Sequence, residues 1–269
     1  MRIVVCAKEV LDPDAVNNYA LVGKLTIGAD GKTPEVAAIP RLINAYDEQA
    51  MEAALRLRDA GVDCSITAVS IGADQNDLLK HCAALGADQI VAIEADTQAL
   101  DGQVIANILA AYVRHSGGAD LVLCGRQASD DDQGVVPALL AEQLDMPVAP
   151  LAKAIEAAGT KLRVTRATPD GEEVVEGALP AVVTITNELG EPRFPSTKAK
   201  MQARKMKPTV LTPQDLGLSA EALQARTVLM RQYVPQVQGS CEFLEGSPAE
   251  VARQLIDKTR DHVGTFKVG

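Results

Sequence analysis

The stretch LVLCGRQASDDDQGVVPALLAEQLDMP, Leu121 to Pro147, limits the folds open to this chain more than any other. An apolar run, a glycine, a polar turn with three consecutive aspartates and an amphipathic helical pattern follow one another, the order in which a buried parallel strand feeds a crossover helix. The same unit recurs upstream: strand Arg2 to Ala7, strand Cys64 to Ser70, helix Asp74 to Leu85, strand Gln89 to Ile93 and helix Gly102 to His115. The alternation predicts an α/β fold with a doubly wound, mainly parallel sheet.

Before this series, Asn44 to Gly61 has the strongest helix signals, with Asp47 read as N-cap, Glu48 in the first turn, Arg56 and Arg58 late, and Gly61 just past the end. Between Leu11 and Pro40 turn signals dominate, and Lys24 to Ile27 and Glu35 to Ile39 are read as short strands of a hairpin closed by Asp30-Gly31. Gly31-Lys32-Thr33 is that turn and not a P-loop, because the leading glycine is missing and no helix follows. After Pro147 the texture changes to Lys161 to Thr165, Glu172 to Glu176 and Pro180 to Thr186, separated by Pro169-Asp170-Gly171 and Gly177; these predict an antiparallel extension. Residues 190–210 are basic and proline-punctuated, so a helix is not expected before Lys198. Helical patterns return at Ala220 to Ala225 and Pro248 to Val263, in a C-terminal arm. The plan is thus a nucleotide-binding α/β domain over 1–189, a loop and basic segment over 190–210, and an arm over 211–269.

Composition excludes several function classes. The net charge of −10 and the absence of Trp oppose nucleic-acid binding, which needs a basic footprint and favours stacking aromatics. Lys198, Lys200, Arg204, Lys205 and Lys207 nevertheless cluster as a local interaction surface. The apolar runs stop well short of the ~20 residues of a membrane span, and Met1-Arg2 runs directly into a strand with no secretory signal pattern. Single, scattered cysteines inside apolar patterns imply a reducing cytoplasm without disulfides or a metal site.

In open α/β sheets a ligand sits at the carboxyl ends of the strands where strand order reverses. Here those ends are Cys6-Ala7-Lys8, Ser70-Ile71-Gly72 and Cys124-Gly125-Arg126. Gly125 permits close backbone approach, and the helix after the aspartates offers N–H groups of Gln133 to Val136 to a phosphate. Asp130 to Asp132 would repel that phosphate if turned inward, so they cap the turn or meet ribose hydroxyls. Two readings stay open on spacing alone: a phosphate cradle, or an acidic, well-capped loop. His81, His115 and His262 have no assignable partner and read as surface or packing residues; Lys8 and Arg166 read as buried members of ion pairs. No nucleophile with a base is present in the pattern.

Several stretches together resemble one family, the β subunit of electron transfer flavoprotein: IVVCAKEVLDP at the start, INAYDEQAMEAALRL (Ile43 to Leu57), AVSIG (Ala68 to Gly72), LVLCGRQASDDDQG (Leu121 to Gly134), LPAVVTITN (Leu179 to Asn187), EPRFPSTKAKM (Glu191 to Met201) and DLGLS (Asp215 to Ser219). The resemblance implies a heterodimer with an α subunit that holds most of a redox-active FAD. It implies a buried adenine nucleotide in this chain, AMP in simple members and a second FAD in electron-bifurcating members that oxidise NADH. By matching position the nucleotide residues are Cys6, Asn44, Ala45, Tyr46, Asp47, Ile71, Gly125, Arg126, Gln127, Ala128, Ser129, Asp130, Asp132, Gln133, Gly134, Val135 and Val136, with Tyr46 near the flavin edge. Phe194, Pro195, Ser196, Thr197, Lys198 and Ala199 match the loop that docks acyl-CoA-type and other flavin dehydrogenases, from which electrons pass toward a membrane quinone reductase. The arm would embrace the α subunit. Within this pattern the chain departs at Val135 and Val136, where simple members carry an amide and a hydroxyl, which leaves phosphate binding to backbone N–H groups. Gln133 and Pro137 depart from the bifurcating pattern of Thr and Gly. Thr197 replaces a leucine anchor, about 1.5 to 3 kcal/mol of apolar burial, and Ala167 replaces an acid after Arg166. A free-standing nucleotide-binding stress-type α/β protein is the alternative of another class, opposed by an arm with nothing obvious in the chain to pack on.

Overall fold

The structure, a computed structural model, describes residues 1–35, 38–235 and 241–263, with the side chains of 261–263 excepted. It divides into two units, Met1–Gln232 and Tyr233–Gly269. The first opens with β1 (Arg2–Cys6), a small antiparallel pair β2 (Glu9–Leu11) and β3 (Arg41–Ile43), and between these α1 (Pro13–Leu21). This helix was not expected from the turn signals; Asp12 caps it by accepting the N–H groups of Asp14 (3.0 Å) and Ala15 (3.3 Å), and Pro13 occupies the first turn, where its missing N–H costs nothing. The expected hairpin contracts to one bridge, Ile27 to Pro34, around a turn capped by Asp30; residues 36 and 37 of its second strand lie outside the described residues.

There follow α2 (Ala45–Asp59), β4 (Ser65–Ile71), α3 (Asn76–Leu85), β5 (Gln89–Ile93), α4 (Gly102–His115), β6 (Leu121–Gly125), α5 (Val136–Leu144), β7 (Val148–Ala158), β8 (Lys161–Thr168), β9 (Gly171–Ala178), β10 (Ala181–Ile185), α6 (Thr197–Ala203) and β11 (Thr209–Leu211). Nine strands form one sheet in the order β11-β5-β4-β1-β6-β10-β7-β8-β9. It is parallel from β11 to β7 and antiparallel through β8 and β9, the expected α/β architecture with an antiparallel extension. Two details differ from expectation. Ala181–Ile185 is fully buried and lies parallel between β6 and β7, not in the extension, and Val148–Ala158 supplies a long strand hidden in sequence by its alanines.

Strand β1 shows why both faces are covered. Ile3 and Val5 join the core under α2 and α3, while Val4 and Cys6, one residue out of phase, join the core under α4 and α5. After β1 the chain builds outward through β4, β5 and β11 on one side and through β6, β10 and β7 on the other. Strand order therefore reverses between β1 and β6.

Segment 212–227, assigned from sequence to the arm, packs on the α4–α5 side through Leu216, Leu218, Leu223 and Ala225. Asp101, the N-cap of α4, also accepts N–H groups of Arg226 (2.7 Å) and Thr227 (2.9 Å), and Asn107 donates to the Ala222 carbonyl at 2.9 Å. The helical pattern at Ala220 to Ala225 forms turns only. In the second unit, α7 (Pro248–Val263) begins where the sequence places it, with Ser247 donating to Glu250 at 2.6 Å and with Leu255 and Ile256 exposed. No helix among the described residues is long and apolar enough to cross a membrane.

Candidate functional site

The carboxyl ends of β1 and β6 are tied together by the start of α2. Asn44 holds the N-cap position of α2, but its side chain makes no cap hydrogen bond. It reaches across instead: Nδ2 donates to the Gln127 carbonyl at 2.8 Å, and Oδ1 accepts the Ser129 N–H at 3.2 Å. Asp47 is not the N-cap. It lies inside the first turn, buried, where one carboxylate oxygen accepts the Lys8 N–H (2.8 Å) and the other the Gly125 N–H (2.9 Å), so a single side chain joins both strand ends. Burial pushes its carboxyl up to about 7, against the opposing pull of those N–H groups and of Asn44.

Gly125 is required by this closeness. A Cβ there would stand 2.4 Å from Asp47 Oδ1, 2.7 Å from Tyr46 Cβ and 2.9 Å from the Tyr46 carbonyl carbon. Tyr46 also receives the Arg126 guanidinium, 5.6 Å from its ring centroid, a cation–π contact with no signal in the sequence. Ile71, at the end of β4, packs on the same cluster as Cys6 and Cys124. A thiol–thiol hydrogen bond with Cys6, together with burial, pushes Cys124 well above its ordinary range, so the Cys124 thiol packs and does not act as a nucleophile.

The aspartates of the loop turn to its own donors. Lys8 Nζ meets Asp130 at 2.6 Å and Asp131 at 3.3 Å; Asp131 also accepts the Gln133 N–H (3.2 Å), and Asp132, at φ 51, accepts from Gln127 Nε2 (2.7 Å). Burial would lower the Lys8 ammonium, but the two aspartates outweigh it and hold it charged. Lys8 is thus an ion-pair residue as expected, though its side chain is 44% exposed and not buried. Arg166 likewise pairs with Glu173 at 2.5 Å from a partly exposed position. With the carboxylates engaged, the N–H groups of Gly134, Val135 and Val136, leading into α5, have no acceptor among the described residues. Gln133, expected to offer its N–H as well, has it taken by Asp131. Gly134 turns the chain here at φ +61, and a Cβ would stand 2.9 Å from the Arg126 carbonyl. The aspartates are thus engaged within this turn, and the three N–H groups beside them are those that the phosphate-cradle reading would use.

The second group of sequence-predicted residues lies elsewhere. Phe194 is 95% exposed; Ser196 caps α6 by accepting the Ala199 N–H at 3.2 Å; Thr197 to Ala199 form its first turn, one residue earlier than expected after Pro195. Two acidic partners were missed. His81 Nε2 lies 2.6 Å from Glu48, and Glu52, nearly buried on α2, takes donors from Arg56 and Arg193. Glu52 left a trace, a lone carboxylate inside the otherwise apolar run Ala50 to Leu55.

Comparison with known proteins identifies the family. A family model described as the electron transfer flavoprotein domain matches residues 36–216. The chain is 33% identical to the "Caffeyl-CoA reductase-Etf complex subunit CarD" of Acetobacterium woodii, over 97% of this chain and 98% of that protein. It is 31% identical to the electron transfer flavoprotein subunit beta of Syntrophomonas wolfei (98% and 97% covered) and 32% identical to that of Bacillus subtilis (81% and 86%). With its parallel sheet, strand-order reversal and matching sequence over nearly its whole length, the chain belongs to the electron transfer flavoprotein family as a β subunit.

Proposed function

We propose that this chain pairs with an electron transfer flavoprotein α subunit in the cytoplasm to form a heterodimeric electron carrier, and is not an enzyme with a substrate of its own. The carrier takes electrons from a flavin dehydrogenase of the acyl-CoA type and delivers them toward a membrane quinone reductase. The relative named for a caffeyl-CoA reductase complex supports a partner acting on CoA thioesters. FAD, held mostly by the α subunit, supplies the electron-accepting and electron-donating chemistry when bound. This chain's residues bind, orient and dock.

The observation that carries the reading is the convergence of Cys6, Asn44, Asp47 and Gly125 at the β1–β6 reversal, beside the three N–H groups of Gly134 to Val136. That donor set fits a nucleotide phosphate, which we assign to AMP. Val135 and Val136 offer it no side-chain donor, so backbone groups and the partial positive charge of the α5 N-terminus would do the binding. Asp47 and Asn44 fix the cradle, and Arg126 over Tyr46 closes its edge. Phe194 to Ala199 present the docking surface, and the chain after Tyr233 contacts the α subunit.

Co-expression with the α subunit tests this. The expected product is a one-to-one complex with flavin absorbance that bleaches when an acyl-CoA dehydrogenase and its acyl-CoA substrate are added. A stable monomer that ignores the α subunit and carries no flavin overturns the proposal.

A further inference from the structure

The docking segment is preceded by a clamp. Glu52, whose side chain is 7% exposed, sits on α2 about two turns from Asn44. Its Oε2 accepts Arg193 Nε (2.7 Å) and the Arg193 N–H (3.2 Å), while Oε1 accepts Arg193 Nη2 (3.2 Å) and Arg56 Nε (2.9 Å). Arg193 Nη2 continues to Asp59 at 2.7 Å, and Arg56 Nη1 donates to the Leu189 carbonyl at 2.7 Å. Burial alone would raise the Glu52 carboxyl, yet the donors from Arg193 and Arg56 hold it below the usual carboxylate range. Immediately after Arg193 comes Phe194, projecting into solvent, and then Pro195 and the capped start of α6, which packs on α3. The exposed ring is therefore carried on a short segment fastened at both ends.

We propose that Glu52 is the positioning residue of the docking segment, holding residues 189–193 on α2 through Arg193 and Arg56 so that Phe194 is presented already ordered. This rests on the docking reading above. A nearly buried carboxylate held by a guanidinium fork is rigid in distance and in plane, which a lysine or a neutral amide would not reproduce. Ordering the segment beforehand removes an entropic cost that a partner would otherwise meet on binding. Among the described residues Glu52 bonds Arg193 and Arg56 and no residue of the nucleotide loop, so its role runs through the segment it holds.

The Arg193-Phe194 bond supplies a test independent of any partner, because trypsin must extract the Arg193 side chain from Glu52 and Asp59 before it can cut there. In the α–β complex, Glu52→Gln should raise the rate of cleavage after Arg193, mapped by mass spectrometry, at least about tenfold. With an acyl-CoA dehydrogenase and its substrate, the KM for the complex should rise about tenfold with kcat unchanged, since only a preordering advantage is lost. Arg193→Lys, which breaks the fork from the exposed side, should act in the same direction and serves if Glu52→Gln fails to assemble. Phe194→Ala separates the two claims. If Phe194→Ala raises KM but the clamp variants change neither cleavage nor KM, or change cleavage alone, the positioning role is overturned while docking stands. If Phe194→Ala leaves KM unaltered, the docking reading falls and the proposal with it.

Discussion

Gly125→Ala is expected to abolish retention of the adenine nucleotide and to lower the thermal midpoint of the complex by several degrees. The added methyl would lie within 3 Å of two fixed neighbours, the Tyr46 backbone and the Asp47 carboxylate, at the point where β6 meets α2. Overpacking of this kind costs about 1 to 3 kcal/mol. Relief requires α2 to move away from β6. That movement breaks the Asp47 bond to the Gly125 N–H and draws Asn44 from Gln127 and Ser129, so strain at one atom is converted into loss of the loop's geometry. Differential scanning calorimetry and nucleotide content after gel filtration measure the two effects. A variant with full nucleotide content would show that the junction tolerates a side chain.

Asp47→Ala is expected to be comparably harmful, with a characteristic pH dependence. Removing the carboxylate leaves the N–H groups of Lys8 and Gly125 unpartnered, and each buried orphan costs about 1 to 3 kcal/mol. Asp47→Asn, which keeps one acceptor, should fall between wild type and Ala. The carboxyl titrates near 7 in the folded protein and near 3.8 when unfolded. Between those values the native protein holds a proton that the unfolded chain has released, so this group's contribution to stability is complete below about pH 4 and declines as pH rises to about 7. The advantage of wild type over Asp47→Ala should therefore be largest near pH 4 and narrow toward pH 7, at up to about 1.4 kcal/mol per pH unit. Melting both complexes across that range decides it; a gap that widens with pH would mean that Asp47 is ionised throughout.

The parallel core was legible because its strands are written in β-branched runs and its helices in apolar periodicity, both local signals. Val148–Ala158 was not, since Ala149, Ala152, Ala154 and Ala157 carry little strand preference and the strand is recruited by pairing with β10 and β8. Nor was α1, whose Asn17-Asn18 pair resembles a turn until Asp12 and Pro13 are read together as its start. At the site, residue identities were visible but directions were not. Asp47 reads as a helix cap in sequence, and only the fold shows that its side chain is spent on two strand ends while that of Asn44 bonds the Gln127 carbonyl and the Ser129 N–H. Of Asp130 to Asp132, read in sequence as capping the turn or meeting ribose hydroxyls, Asp131 caps the Gln133 N–H, while the pairing of Asp130 and Asp131 with Lys8 depends on β1 and β6 being neighbours. The Glu52 clamp joins residues far apart in the chain and needed the fold to be seen.

The central claim is that this β subunit holds an adenine nucleotide at the reversal between β1 and β6. The most direct measurement is acid denaturation of the purified α–β complex followed by mass spectrometric identification of what it releases. The expected release is AMP together with FAD, in equal amounts. Two equivalents of FAD with no AMP would transfer the cradle to a second flavin, and release of a single FAD with no further adenine nucleotide would contradict the account.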